Sequence, residues 1–540
     1  MGCFKRASVN RFVGLADSAN TTLSELPCYP QSALLDRFCN SKLVREAPSK
    51  VSQSYHSLQE DNEERILDNR PREDHPIPPI SLLYDGFGVF EDVVNESVQV
   101  PGENDILESQ LWGEVEAFTK RMAGFYGTEA QRREVLLAHL ERIFGARRDP
   151  QAVGERIRAS KIGPLQISWD GHSNGEHGAT VFCLQCKNEL YGITSEPSAE
   201  LVSHIASSFK EQLEGEGKHR ALFDGWRVPA LGMTQIGKRT PHALRPHHLT
   251  GLLGSYVQFF GIVMIAQMRI VPLTPMLPLQ TPASDERSRQ ELFLAFKAAS
   301  IVIAKIQADV RKLIQKPPKA IPLEFRSFPS VTEIKKVTLS PEPISFRLVG
   351  RQDDNPFRNL YHAFTSEGDE IYVKFTERYS RDLHVFCAGR GLAPELLGFE
   401  RLPGGWFAVA MKKIWNAEPL KIESLQIDTW KRDIRKLVDA FHEEGLVHGD
   451  LRPPNFIFTV AIPPKMLLID FDWGGKAGEV CFPRGKLVKG LRGDGRYCLD
   501  QPITREDDNR VLLETFKWLD KQAKGVVGGG ASTGGGPRWK

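Results

Sequence analysis

The chain has 540 residues, more than one ordinary domain accommodates, so at least two folded units are expected. Its 70 Lys and Arg nearly balance 68 Asp and Glu, and a net charge of +2 excludes a polybasic nucleic-acid coat or an acidic solvating chain. Eight Cys without paired spacing exclude a disulfide framework and fit reduced thiols in an intracellular compartment, cytoplasm or nucleus.

In chain order, residues 1–75 read as a flexible leader. They are polar, mixed in charge around Glu60, Glu64, Arg65 and Arg70, and run into Pro71, Pro76, Pro78 and Pro79. No apolar core follows Lys5 and Arg6, so no secretory signal is expected. Met1-Gly2-Cys3 opens like an N-myristoylation signal, but Arg6 stands where Ser or Thr is required. From 80 to 315 a folded segment is expected, with helices at 112–122, 132–144 and 291–314 and strands at 165–169 and 180–190. The uncharged stretch 249–268 is long enough to cross a bilayer. Gln258, Gln267, Tyr256 and three glycines interrupt it, and Pro272 and Pro275 follow. Buried strands and a helix within an α/β domain are therefore expected there, and no membrane span. Pro317, Pro318 and Pro322 mark a boundary. A domain is expected at 76–318, a second at 325–525, and a disordered Gly-rich tail at 526–540.

The first domain carries a constellation of its own. Ile167-Ser168-Trp169-Asp170-Gly171 closes one expected strand, and Val181-Phe182-Cys183-Leu184-Gln185-Cys186-Lys187-Asn188-Glu189 forms the next. Alternation places Gln185, Lys187 and Glu189 on one face and Phe182, Leu184 and Cys186 on the other. An Asp at one strand end facing a Lys-bearing strand resembles the PD-(D/E)xK nuclease fold, in which acidic groups hold a divalent metal that activates water. The resemblance implies Asp170 and Gln185 as metal ligands, Lys187 as the catalytic lysine and Glu129 as an upstream acid. Gln185 departs from the pattern, which has Glu or Asp there; an amide oxygen brings no charge to a metal. Glu189 lies four strand residues on, roughly 13 Å away. The same residues also read as an ordinary sheet edge with a solvated Lys and Glu. Arg147, Arg148, Arg156, Arg158 and Lys161 precede the first strand and read either as phosphate-backbone contacts or as a solvated helix face. Cys183 and Cys186 form a close pair with no second pair to complete a zinc site.

The second domain holds the most informative stretch. His448-Gly449-Asp450-Leu451-Arg452-Pro453-Pro454-Asn455 is followed by Leu467-Leu468-Ile469-Asp470-Phe471-Asp472. Phosphoryl transfer needs a carboxylate to orient an attacking hydroxyl, and a carboxamide and a second carboxylate to hold Mg²⁺ on nucleotide phosphates. Asp450 suits the first role, Asn455 and Asp470 the second. Trp430, Ile434, Leu437, Val438 and Phe441 recur at helical spacing just upstream, and Gly445 stands where that helix ends. Phe456-Ile457-Phe458 and Met466-Leu467-Leu468-Ile469 read as two strands around Pro463-Pro464.

This window resembles the protein-kinase superfamily. Ile371-Tyr372-Val373-Lys374-Phe375 looks like the strand whose lysine grips the α/β-phosphates, and Trp406-Phe407-Ala408-Val409-Ala410-Met411 like the strand leading to the hinge. Asp507-Asp508 opens a helical pattern where kinases place an Asp that binds the catalytic loop. The resemblance implies ATP and Mg²⁺ as cofactors, with Lys374, Asn455 and Asp470 binding them and Asp450, Arg452 and Lys374 in catalysis. Four departures stand out. No Gly-rich loop precedes Lys374, since 344–374 offers only Gly350 and Gly368; no Glu is placed to pair with Lys374, the nearest candidates being Asp382 and His384. The loop reads His-Gly-Asp, a form shared with kinases of small molecules, and Asp472 replaces the Gly of the last motif. Asp472 reads as a solvated turn residue or as an extra metal ligand.

Together with Leu82-Leu83-Tyr84-Asp85-Gly86-Phe87-Gly88, the 251–271 segment, Leu383-His384 and Gly391-Leu392-Ala393-Pro394, these motifs resemble fungal Crinkler-type proteins, over about residues 75–520. The implied fold class is α/β plus α+β: a restriction-endonuclease-like mixed-sheet domain followed by a bilobal protein-kinase-like domain. The implied functions are an effector or toxin with an ATP- and Mg²⁺-dependent kinase acting on protein Ser/Thr hydroxyls, a DNA-cleaving toxin with a regulatory kinase domain, or a non-catalytic scaffold. The His-Gly-Asp form adds a small-molecule kinase of the aminoglycoside or choline type. A protein substrate and DNA are the implied partners, and secretion with action in a host nucleus is one implied location. Oligomeric state is not readable.

Overall fold

The computed structural model describes residues 32–68, 77–96, 105–145, 161–162, 167–168, 171–174, 180–187, 196–214, 217–237, 255–282, 284–338, 342–352, 358–414, 417–419, 427–459, 466–483 and 501–527. In the N-terminal segment, isolated apolar residues recur at helical spacing in a polar background, and four short helices form: α1 (Ser32–Cys39), α2 (Lys42–Arg45), α3 (Pro48–Gln53) and α4 (Tyr55–Glu60). Phe38, Leu43, Val44, Val51 and Leu58 are buried in the main core, each contributing roughly 1.5–3 kcal/mol against ordering costs. The expected flexible leader is therefore corrected over 32–68. Its few large apolar side chains are enough because a neighbouring helix supplies a surface to bury them.

The next elements are α5 (Ile80–Leu83), α6 (Asp85–Val94), α7 (Asp105–Met122) and α8 (Glu129–Gly145). A hairpin, β1 (Lys161–Ile162) with β2 (Ile167–Ser168), precedes β3 (Gly171–Asn174), β4 (Thr180–Lys187), α9 (Pro197–Glu214), α10 (Gly217–Gly225), β5 (Pro229–Ile236), β6 (Tyr256–Met264), β7 (Met268–Pro272), β8 (Leu277–Pro278) and the long α11 (Glu286–Gln315). The sheet order is β3-β4-β5-β6-β7, with β8 also on β6. β4 and β5 pair in parallel across the α9–α10 crossover and the other pairs are antiparallel, so the sheet is mixed. One sheet face packs against α8 and α11 through Phe144–Phe182 and Phe259–Phe296 ring contacts of 5.2 Å each. The other receives α9: a Cβ on Gly232 would meet Leu201 at 2.5 Å, so glycine lets the helix approach. Ser203 Oγ on α9 donates to Leu43 O and ties the N-terminal helices to it.

The described part of the uncharged stretch, 255–268, forms β6 and the start of β7 joined by a turn, and the helix expected in this stretch is not among the described residues. Among the described residues no helix is long and apolar enough to cross a membrane.

The second unit begins with a six-stranded antiparallel sheet of β9 (Glu333–Ile334), β10 (Ile344–Arg351), β11 (Asn359–Thr365), β12 (Glu370–Thr376), β13 (Leu396–Arg401) and β14 (Phe407–Lys412), in the order β13-β14-β12-β11-β10-β9. Helix α12 (Arg381–Gly389) links β12 to β13. A largely helical part follows: β15 (Ala417–Pro419), α13 (Ile427–Glu443), β16 (Leu446–Val447), β17 (Phe456–Thr459), β18 (Met466–Leu468), β19 (Gly475–Lys476) and α14 (Arg505–Val527). α13 buries Trp430, Ile434, Leu437, Val438 and Phe441, the stripe its spacing dictates. The sheet and the helical part have separate cores, and the site lies where they meet.

The expected boundary at the prolines is packed. Arg326 donates to the carbonyls of Phe223, Asp224, Trp226 and Met264, while Arg227 donates back to those of Phe325, Arg326 and Phe328. Leu82 of α5 is buried in the core of the second unit's sheet. Gly88 of α6 lies so close to Pro403 that a Cβ would meet its carbonyl carbon at 2.6 Å, and Asp92 pairs with Arg401 at 3.1 Å.

Candidate active site

Helix α13 stops at Gly445, whose φ of 76° only glycine adopts without cost, and β16 then delivers the loop 448–455. Gly449 also has positive φ, 80°, and a Cβ there would meet Ile503 Cδ1 at 2.8 Å. The backbone conformation and the tight contact explain why this position is glycine. Asp508, at the start of α14, accepts from the backbone amides of His448 and Gly449 at 2.7 Å each. The loop is thus held from below by a fully buried carboxylate.

Asp450 is buried, and Arg452 grips it with both arms of the guanidinium: Nη2 donates to Oδ2 at 2.6 Å and Nε to Oδ1. Asn455 spends its Nδ2 on the Asp450 carbonyl at 2.8 Å, which leaves the carboxamide oxygen as the atom with lone pairs for a cation. Ile469 N donates to Asn455 O at 2.9 Å and joins this loop to the segment carrying Asp470. Asp470 has φ of 67°, a left-handed conformation that Asp tolerates better than most residues and that clusters at functional sites.

Lys374 on β12 ion-pairs with Asp470 at 2.7 Å and with Asp472 at 2.6 Å. Burial by itself raises the Asp470 pKa, but the Lys374 ammonium outweighs it and holds the carboxyl below the usual carboxylate range. Asp472 moves up instead, pushed by burial and by the Asp470 charge in spite of the same lysine. The reading of Asp472 as a solvated turn residue is therefore corrected: its side chain is 26% exposed and salt-bridged. The sequence candidates for Lys374 are corrected as well. Asp382 is exposed on the first turn of α12. His384 stacks on Phe471 with centroids 4.5 Å apart, and burial lowers its pKa to about 4. As a neutral ring it donates from Nε2 to the Pro394 carbonyl at 2.8 Å and accepts the Tyr379 hydroxyl at Nδ1, 2.6 Å.

Lys374, Asp470, Asn455, Asp450 and Arg452 are therefore joined in one chain of contacts: Lys374 pairs with Asp470, the Asp470 segment hydrogen-bonds to Asn455 through Ile469, and Asn455 and Arg452 both hold Asp450. The candidate metal donors in this set are oxygens, the Asp470 carboxylate and the Asn455 carboxamide, which fit Mg²⁺. Sequence reasoning missed the pairing of Asp472 with Lys374. Its signal was the Asp–x–Asp spacing beside a lone strand lysine.

In the first unit the structure brings together a different set from the one expected. Gln185 is 3% exposed, and its Oε1 has no hydrogen-bond partner. Lys187 pairs with Glu200 of α9 at 2.9 Å, an acid the sequence did not flag. Glu129 is exposed on the first turn of α8. Asp170, Glu189, Arg147, Arg148, Arg156 and Arg158 lie outside the described residues, as do the start of the chain and the tail from 528. Cys183 and Cys186 are buried thiols outside any disulfide, on opposite faces of β4, and Cys186 Sγ donates to Gln235 Oε1 at 3.2 Å. Among the described residues no group of three or more His, Cys, Asp or Glu side chains is arranged to hold a metal.

No protein-family model matches the chain, and no curated protein does. Among solved structures it is similar to the Cydia pomonella granulovirus kinase PK-1, with a TM-score of 0.27 and 14% identity over 32% of this chain and 67% of that one. It is also similar to the Rad53 kinase domain and SCD2 in complex with AMPPNP, with a TM-score of 0.19 and 17% identity over 24% of this chain and 51% of that one. Both of those proteins are kinases, and the chain spans about half the length of the second.

Proposed function

We propose that residues 325–525 act as an ATP- and Mg²⁺-dependent phosphotransferase to an alcohol acceptor, with protein Ser/Thr hydroxyls as the first acceptor class to test. The observation that carries this reading is the chain of contacts that joins Lys374, Asp470, Asn455 and Asp450. Asp450 would orient the acceptor hydroxyl and take its proton as the new O–P bond forms and the bond from the γ-phosphorus to the bridging oxygen of departing ADP breaks. Arg452 would turn one arm of its fork from Asp450 to the transferring phosphoryl group, and Lys374 would meet the α/β-phosphates. Asn455 and Asp470 would hold Mg²⁺, which when bound supplies charge neutralisation at the phosphates. Incubation with labelled ATP and Mg²⁺ is expected to give autophosphorylation that Asp470→Ala abolishes. Label incorporation unchanged in that variant removes the reading. Small alcohols such as aminoglycosides and choline, offered as acceptors in the same assay, separate the small-molecule alternative.

A second reading concerns the first unit as a nuclease-like module, the Crinkler-type arrangement implied by the sequence. It is favoured by the buried, unpartnered Gln185 Oε1 beside Lys187, and by Glu200, which brings the charge that Gln185 lacks. Supercoiled plasmid with Mg²⁺ or Mn²⁺ is expected to be nicked by the wild type and spared by Lys187→Ala and Glu200→Gln. Equal survival of DNA with all three proteins removes it.

A further inference from the structure

The protein kinases recruit a glutamate from a separate helix to hold the phosphate-gripping lysine. Among the described residues no glutamate pairs with Lys374. The helix in that place, α12, turns Leu383, His384 and Cys387 inward, and its acidic residue, Asp382, is exposed. Among the described residues the carboxylates that Lys374 meets are Asp470 and Asp472. One of these is the proposed metal ligand, and sharing its oxygens with a cation weakens its hold on the ammonium. The other is two residues further on, in the position where the kinase motif has glycine.

We infer that Asp472 is the positioning residue for Lys374, doing from the 470–472 segment what a helix glutamate does elsewhere; the inference rests on the phosphotransferase reading above. The segment is anchored for that task. Phe471 between the two acids is 1% exposed and stacked on His384, so α12 contributes an aromatic clamp on the segment in place of a carboxylate. Tyr379 and Pro394 in turn fix the His384 ring, and Phe471 O accepts from Ser380 N at 3.0 Å. The lysine and the metal ligand are therefore set by one three-residue stretch. Assembly of this site does not depend on a helix swinging in to complete an ion pair.

The competing role for Asp472 is as a second metal ligand, and the two separate cleanly in kinetics. Full-length wild type, Asp472→Asn, Asp472→Gly and Asp472→Glu are compared for turnover as ATP and Mg²⁺ are varied, and for binding of trinitrophenyl-ATP. Positioning of Lys374 predicts that Asp472→Asn and Asp472→Gly raise KM for ATP about tenfold, the loss of one charged contact, while the Mg²⁺ half-saturation at saturating ATP moves less than about twofold. Asp472→Glu is expected to restore most of the loss. A Mg²⁺ requirement raised about tenfold with an unchanged KM for ATP makes Asp472 a metal ligand and overturns the inference. Unchanged KM and unchanged Mg²⁺ dependence in the Asn variant overturn it too. A wild type that binds no trinitrophenyl-ATP overturns the phosphotransferase reading itself, and this inference with it.

Discussion

Asp508 and Gly449 are joined by a 2.7 Å hydrogen bond from the Gly449 amide to Asp508 Oδ1, while the other oxygen of the same carboxylate takes the His448 amide. A fully buried acid on α14 thus sets the path of the loop that presents Asp450.

Removing that acid orphans two buried amides. Asp508→Ala is expected to cost about 2–4 kcal/mol and to abolish phosphotransfer, whereas Asp508→Asn keeps one acceptor and loses less. Denaturant midpoints of the two variants, read beside turnover, check the order.

Gly449 leads to a counterintuitive expectation. Gly449→Arg gives the loop the common His-Arg-Asp form, yet the φ of 80° is strained for a residue with a side chain, and its Cβ would sit 2.8 Å from Ile503 Cδ1 and 3.1 Å from Trp473 Cβ. Strain of about 1–3 kcal/mol plus displacement of Ile503 is expected to lower both activity and melting temperature. A variant more active than wild type contradicts the structure.

Arg452 occupies both oxygens of Asp450 in the described state. If its guanidinium also stabilises the transferring phosphoryl group, Arg452→Ala should lower kcat about a hundredfold and, by leaving the buried Asp450 carboxylate unpaired, cost about 1–3 kcal/mol of folding stability. Arg452→Lys keeps a charge but loses the two-armed grip and should fall between. Steady-state kinetics with saturating ATP measure this directly.

The seam between the units carries a pH dependence. Glu91 of α6 is half-buried against the Gly404 turn, and burial, with repulsion from Asp92 and Glu377, pushes its pKa up from 4.5 to about 7 in spite of a nearby Ser81 hydroxyl. The folded protein binds a proton here that the unfolded chain releases, so this contribution is full below pH 4.5 and is lost as pH rises to about 7. Glu91→Gln should remove that slope and leave the protein about 1–2 kcal/mol more stable than wild type at pH 8, a figure reduced for partial exposure. Unfolding midpoints at pH 5 and pH 8 decide it.

Much of the second unit was legible because its signals are local. The α13 stripe, the alternation around Lys374 and the Asp508 position each depend on residues a turn or a strand apart, and each element lies where its pattern places it. The expected helices 112–122, 132–144 and 291–314 likewise fall within α7, α8 and α11. Phe38, Leu43 and Val44 were not legible as core, because in sequence they are a few apolar residues in a charged run. They are buried only because α9, far along the chain, offers them a face. Glu200 and Lys187 belong to the same class of miss, a pair made by the packing of a helix on a strand.

The sequence by itself determined which chemical groups this protein owns and which short elements carry them, since periodicity, turn residues and motif spacing act over a few residues. Tertiary structure alone decided which of those groups face one another. Lys374 has Asp472 as a partner, Asp450 has Arg452, and Arg326 fastens the two units, because ion pairs and buried hydrogen bonds form through space, between residues whose separation along the chain carries no information about their distance.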